Sequence, residues 1–269
     1  MSTTTAVAGD VFTEKSVESG GFTIRYWEAG EGDVLVYLHG AGGHQARFAL
    51  DYLAASVRVL AIEMPGWGTQ DNDVADFDGL ASQIAQIVTA LGIDTFHLMG
   101  TSLGGACAMH VAIVYPERVT SLILDAPAKF REASANPATL TPEQFVKAFR
   151  AHPERAPHMA PPDPSSMGRI WPMVERLMQD GSVDVDFAAR LSACPTRTLI
   201  LFGHSDGLIN PINGRTIKRL MKNSTLQYIY DAAHDAQGDR PEAFADIAGD
   251  FLRRGMGFMI NEQDGQLNP

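Results

Sequence analysis

The sequence predicts an α/β fold, a mostly parallel β-sheet flanked by helices with a small helical insertion. Three observations predict it. Short β-branched or aromatic apolar runs recur along the chain and end in Gly, Pro or Asp, as strands do. Helical repeats lie between them, and strands alternating with helices of this length require right-handed crossovers and a parallel sheet covered on both faces. The alternation then stops over one long, Pro-punctuated stretch.

In order, the strand-like runs are "FTIRYWEAG", "DVLVYLHG", "VRVLAIEMPG", "TFHLMG", "RVTSLILDAP" and "TRTLILFG". One helix is predicted where Leu80, Ile84, Ile87, Val88 and Leu91 share a face, with Asp78 as N-cap and Gly92 as stop. The last helix should be capped by Asp239, carry Pro241 in its first turn, bury Phe244, Ile247, Ala248, Phe251 and Leu252, and end at Gly255. From about Pro127 to Pro195 only helical pieces such as "TPEQFVKAFRAH" and "SSMGRIWPMVERLMQDG" are evident. The expected division is a core of residues 1–126 and 196–269 with a helical cap of residues 127–195. Met159, Met167, Met173 and Met178 with Trp171, Phe145 and Phe149 make this insertion apolar and adaptable. They read either as the roof of a pocket or as a small core of their own. The segment after Arg254 is expected to be poorly ordered.

The chain has 269 residues, 45% of them apolar, enough for one large domain or two small ones. Its formal charge is −11, with no dense Lys/Arg stripe, which argues against nucleic acid and anionic membranes as partners. "MSTTTAVAGDVF" has neither a basic start nor an apolar core, and no apolar run is long enough to span a bilayer, so a soluble, cytoplasmic protein is expected. Cys107 and Cys194 sit far apart in unrelated contexts and read as two reduced structural thiols. No motif implies a metal or cofactor, and a homo-oligomer is left open.

Within "FHLMGTSLGGACAMH" a strand runs into a small-residue helix, and Ser102 stands at the sharp turn between them. Such a turn strains its central residue and projects the side chain from the C-terminal edge of the sheet. Gly100 and Gly104 fit because a Cβ there would meet neighbouring backbone. Leu103 opens the helix, so its N–H is free to face an anion. A serine nucleophile also needs a base, a group to orient that base, and a second oxyanion donor. His234, in the loop before the final helix, is the candidate base; His39, His44, His97, His110, His152, His158 and His204 are less well placed. Asp206 follows a strand end and stands between serine and histidine in chain order, which makes it the candidate acid, with Asp125 at the end of "LILDAP" as its rival. Asp231 and Asp235 read as surface acids. Ala41, in the turn "LHGAGGH", is the candidate second donor; the loop lacks the Lys-Ser/Thr of a phosphate cradle.

With these pieces together, the chain resembles the α/β-hydrolase fold family from about Phe22 to Phe251. The resemblance rests on "LHGAGG", "EMPGWG", "GTSLGGACAMHVAIVYPERV", "LFGHSDGLINP" and "AAHDAQGDRPEAF". It implies an eight-stranded core, a helical cap after the sixth strand, Ser102, Asp206 and His234 as a triad, and no cofactor. A serine at the elbow disfavours the branches that attack through a carboxylate. The "HGAG" turn is similar to that of the branch handling short or medium acyl groups, and Glu63 replaces the usual Asp before "MPGWG", which reads as structural. Thr101 and Asp235 stand where carbon-carbon hydrolases of aromatic degradation typically carry Asn and Trp. The expectation is therefore a serine hydrolase of short to medium carboxylic esters, lactones or thioesters, taking a small apolar substrate. A carbon-carbon hydrolase using the same triad is the alternative, and a non-catalytic receptor on this fold is a distant third.

Overall fold

A computed structural model describes residues 7–155, 164–178 and 185–259. Its eight strands are β1 (Thr13–Ser19), β2 (Phe22–Ala29), β3 (Val34–Leu38), β4 (Arg58–Ile62), β5 (Phe96–Thr101), β6 (Val119–Asp125), β7 (Thr198–Gly203) and β8 (Ser224–Ile229). They form one sheet in the order β1-β2-β4-β3-β5-β6-β7-β8. β1 and β2 pair antiparallel, as do β2 and β4; every other neighbour is parallel. The central strands β3 to β7 are buried almost throughout, which is why they read as continuous apolar runs. β1, "TEKSVES", escapes such reading because it is a largely exposed edge strand.

The helices among the described residues are α1 (Phe48–Leu53), α2 (Phe77–Ala90), α3 (Leu103–Val114), α4 (Pro142–Phe149), α5 (Pro164–Met178), α6 (Val185–Ala193), α7 (Ile212–Leu220), α8 (Ala236–Asp239) and α9 (Pro241–Arg254). One apolar core lies beneath α2 and α3 and includes Leu80, Ile84, Ile87 and Val88; the other lies beneath α1 and α9 and includes Phe244, Ala248, Phe251 and Leu252. Two expected caps are corrected. Asp76, not Asp78, caps α2 by accepting from Gly79 N at 2.8 Å, because Asp78 turns to His110 (2.7 Å) and Arg190 (2.8 and 3.1 Å). α9 starts after Arg240 with no side-chain cap, because Asp239 is drawn away by three other N–H groups. At the C-terminus, Gly255–Met259 coil into a 3-10 turn with Phe258 buried, contrary to the expectation of poor order for that part; residues 260–269 lie outside those described.

Between β6 and β7 the described residues carry three helices and two 3-10 turns, and no strand. This insertion is fastened along its length. Arg169 and Arg176 of α5 donate to backbone carbonyls of the loop after β4, among them Gly66 (2.9 Å) and Val74 (2.9 Å). Arg190 of α6 grips Asp78, and Phe187 stacks on His110 at 4.5 Å. Of its apolar residues Met173 is buried, while Phe145 and Trp171 remain exposed; Met159 lies outside the described residues.

Candidate active site

Ser102 has φ 54° and ψ −115°, a left-handed conformation that costs a non-glycine residue on the order of 1–3 kcal/mol. The surroundings hold it there. Its N–H donates to Asp125 O at 2.9 Å, and its carbonyl accepts from Ala106 N at 3.1 Å and Ala128 N at 2.8 Å. A Cβ on Gly100 would fall 2.2 Å from Gly104 O, and one on Gly104 would fall 2.3 Å from Leu38 O, so both glycines are obligatory. The expected turn is therefore present.

Leu103 is the first residue of α3, and its N–H has no acceptor among the described residues; neither has that of Ala41. Gly40, which precedes Ala41, abuts the elbow: a Cβ on it would lie 3.4 Å from Ser102 Cβ. The Ala41 carbonyl is turned away and accepts from Trp67 Nε1 at 2.8 Å. His39 shapes this turn from below. Its Nε2 accepts from Met64 N at 3.0 Å and its Nδ1 lies 2.7 Å from Gly40 O, so the ring donates from Nδ1. Burial pushes its pKa down to about 4, which keeps it neutral.

The structure brings Asp206 and His234 together. Asp206 Oδ2 accepts from His234 Nδ1 at 2.8 Å, while Oδ1 accepts from Leu208 N (2.8 Å) and Ile209 N (2.9 Å). The two loops can approach because Gly203 has no side chain; a Cβ there would lie 1.9 Å from Ala233 O. Burial alone would lower the His234 pKa, but the Asp206 charge and hydrogen bond, with Asp125 and Asp235 behind them, raise it overall. Among the described residues no hydrogen bond joins the Ser102 hydroxyl to His234, a bond that in unliganded sites often forms only as substrate closes the geometry. Phe149 of α4 packs 5.7 Å from the imidazole.

Asp125, the rival acid, does not bond His234. Its Oδ2 accepts from Thr101 Oγ1 at 3.1 Å and Gln237 Nε2 at 2.8 Å, and burial pushes its pKa up to about 7 against those donors. The reading of Asp235 as a surface acid is wrong. Its carboxylate is buried between two guanidinium groups, Arg47 Nε at 3.1 Å and Arg150 Nη2 at 2.7 Å, and its N–H donates to Phe149 O. Asp231 is half exposed, as expected, and meets His152 at 2.8 Å. Asp239 accepts from Ala151 N, His152 N and Ala233 N at 2.8–3.0 Å, so Asp235 and Asp239 together tie the end of α4 to the His234 loop. Glu63 is structural, paired with Arg25 at 2.6 Å. Both cysteines are free and buried, and burial pushes the Cys107 thiol up. Among the described residues no three His, Cys, Asp or Glu side chains group as metal ligands, and no helix is long and apolar enough to cross a membrane.

The alpha/beta hydrolase family model matches residues 35–247, more than three quarters of the chain. The chain belongs to the alpha/beta hydrolase family. Among curated relatives, this alpha/beta hydrolase is similar to the 2-hydroxy-6-oxo-6-phenylhexa-2,4-dienoate hydrolase of Burkholderia cepacia, 28% identical over 265 residues that cover 87% of this chain and 92% of that one. Among solved structures it superposes on a serine hydrolase involved in carbazole degradation with a TM-score of 0.76 at 22% identity, covering 90% of this chain and 99% of the other. Naproxen esterase from Bacillus subtilis superposes with a TM-score of 0.72 at 18% identity, over 90% and 91% of the two chains. These two likenesses are of fold. The chain is a hydrolase of this fold.

Proposed function

We propose that Ser102, His234 and Asp206 act as nucleophile, base and orienting acid, and that the bond broken is the carbon-carbon bond beside a ketone in a dienoate of the type named for the Burkholderia relative. The observation that carries the catalytic reading is the Asp206–His234 pair set at the same sheet edge as the strained Ser102. Asp206 holds the proton on Nδ1, which leaves Nε2 to take the Ser102 proton as Oγ attacks the carbonyl. The N–H groups of Ala41 and Leu103 would hold the oxyanion. In a 2-hydroxy-6-oxo-dienoate, moving the hydroxyl proton to C5 gives a vinylogous 1,5-diketone. Its C5–C6 bond can then break with C5 leaving as a dienolate that the imidazolium protonates. Water, deprotonated by His234, releases the acyl group from Ser102. The insertion between β6 and β7 acts as the cap, with Phe149 forming a wall beside the imidazole.

One observation favours a second reading, an ester substrate. Thr101 and Asp235, at the two positions where carbon-carbon hydrolases typically carry Asn and Trp, are engaged in bonds of their own, and an alcohol leaves without prior ketonisation. Purified protein assayed for decay of the dienone chromophore and against p-nitrophenyl esters of increasing acyl length separates the two. Dienone turnover exceeding that of every ester is the expected result; ester cleavage with an inert dienone would establish the second reading. Ser102→Ala should silence both.

A further inference from the structure

Behind the elbow lies a closed ring of hydrogen bonds. Thr101 ends β5 and immediately precedes Ser102; Asp125 ends β6, and its carbonyl holds the Ser102 N–H; Gln237 lies on α8, three residues after His234. Asp125 and Gln237 are buried and Thr101 half-buried. Gln237 Nε2 donates to Thr101 Oγ1 at 2.6 Å and to Asp125 Oδ2 at 2.8 Å, and Thr101 Oγ1 donates to the same Oδ2 at 3.1 Å.

The protons count out. The amide supplies two, the hydroxyl accepts one and supplies one, and the carboxylate oxygen receives two on its two lone pairs. Tyr37 of β3, also buried, faces Thr101, Gln237 and Asp125 from the side, and the outer oxygens Asp125 Oδ1 and Gln237 Oε1 have no hydrogen-bond partner among the described residues, so the three bonds of the ring are what join these side chains. Three apolar side chains of similar shape could pack here at little cost, so the polar ring is not required for stability. What it supplies is direction.

We propose that Gln237 is a positioning residue, fixing the loop that carries His234 to the elbow that carries Ser102 through Thr101 and Asp125. The inference rests on the catalytic reading of Ser102 and His234 given above. His234 slides or tilts relative to Ser102 if the ring opens, and displacements of about 1 Å at a reacting pair can cost on the order of 100-fold in rate. A second consequence is electrostatic. The charged groups facing His234 are Asp206 from the loop after β7, Asp125 from β6, and Asp235 beside it, the last held by Arg47 and Arg150; Phe149 covers the ring from α4. Gln237 and Thr101 favour the charged form of Asp125, and through it the protonated imidazole.

The test is the second-order rate of labelling by a fluorophosphonate probe, measured against pH on the whole chain with thermal midpoints alongside. Gln237→Met and Thr101→Val should label roughly 10- to 100-fold more slowly than wild type while remaining folded. The acid limb of the Gln237→Met profile should move to lower pH. Thr101→Ser, which keeps the hydroxyl, should label close to the wild-type rate; this pair carries the same test if Gln237→Met does not fold. Wild-type rates and profiles in Gln237→Met and Thr101→Val, or losses that only follow the folded fraction with an unmoved pH profile, overturn the proposal while the catalytic reading stands. Failure of wild type to label, or equal labelling of Ser102→Ala, overturns the catalytic reading and this proposal with it.

Discussion

Asp125 and Asp206 lie at the ends of adjacent strands, both buried, and only one of them touches the histidine. Asp125 is the last residue of β6, locked between Thr101 and Leu201 in the parallel ladder, so its side chain meets what the sheet brings to it. Asp206 lies three residues past β7 in a turn closed by its own N–H to Gly203 O, which frees the carboxylate to reach the imidazole. Their donors differ accordingly. Asp206 receives two backbone N–H groups and an imidazole N–H; Asp125 receives a hydroxyl and an amide, and burial leaves its pKa up at about 7. Equal burial at one sheet edge thus yields two roles. What a strand-end carboxylate can do depends on whether the chain releases it.

Substitution of each acid in turn gives the largest expected effect. Asp206→Asn should slow turnover or probe labelling by about 10⁴-fold, because an amide cannot hold the imidazole in the tautomer that leaves Nε2 free. Asp125→Asn should cost less than about tenfold, since Thr101 and Gln237 still find an acceptor in the amide oxygen. A reversed ranking in the same assay would transfer the role of orienting acid to Asp125.

A third carboxylate extends the contrast from rate to stability. Asp235→Ala leaves Arg47 and Arg150 buried without their shared counter-charge and should destabilise the fold by about 3–5 kcal/mol in urea unfolding. Asp231→Ala, at a half-exposed carboxylate four residues earlier, should move the midpoint far less. Equal shifts for the two would mean that the Asp235 pair is solvated in solution and does not clamp α4.

Which of these roles the sequence discloses follows from how local each one is. The elbow at Ser102, the glycines at 100 and 104, the release of Asp206 after β7 and the inward stripe of α9 all depend on neighbours within a few residues, and each was readable. Asp235 was not, because its partner Arg47 lies 188 positions away and nothing near either residue marks it as buried. Gln237 was missed for the same reason, its two partners being 136 and 112 positions distant. Asp78 and Asp239 look like helix caps because each precedes an apolar stripe, but Asp78 already lies in the first turn of α2 and Asp239 ends α8, and tertiary donors engage both. The spacing of Gln237 and Asp239 after His234 was the available signal, since a loop beside a candidate base with several polar residues must satisfy them internally.

The smallest expected effect is a shift along the pH axis. In the proposed mechanism acylation requires neutral His234, so the rate should rise with pH through an apparent pKa above the ordinary histidine value and then level off. Asp125 gains its charge near pH 7 while facing an imidazole whose own pKa its charge raises, so the two titrate as a coupled pair and the wild-type limb should be shallower than a single ionisation. Asp125→Asn removes the negative charge that favours the imidazolium. The limb should then move to lower pH and steepen toward one ionisation, with a plateau close to that of wild type. Stability follows the same sign. Burial pushes the Asp125 pKa in the folded protein up from the ordinary carboxylate range to about 7, so its contribution is full at low pH and is lost as pH rises toward 7. Asp125→Asn should therefore flatten the decline in unfolding free energy across that window. A mutant limb unchanged in position, or moved to higher pH, would show that Asp125 does not act on His234 through its charge.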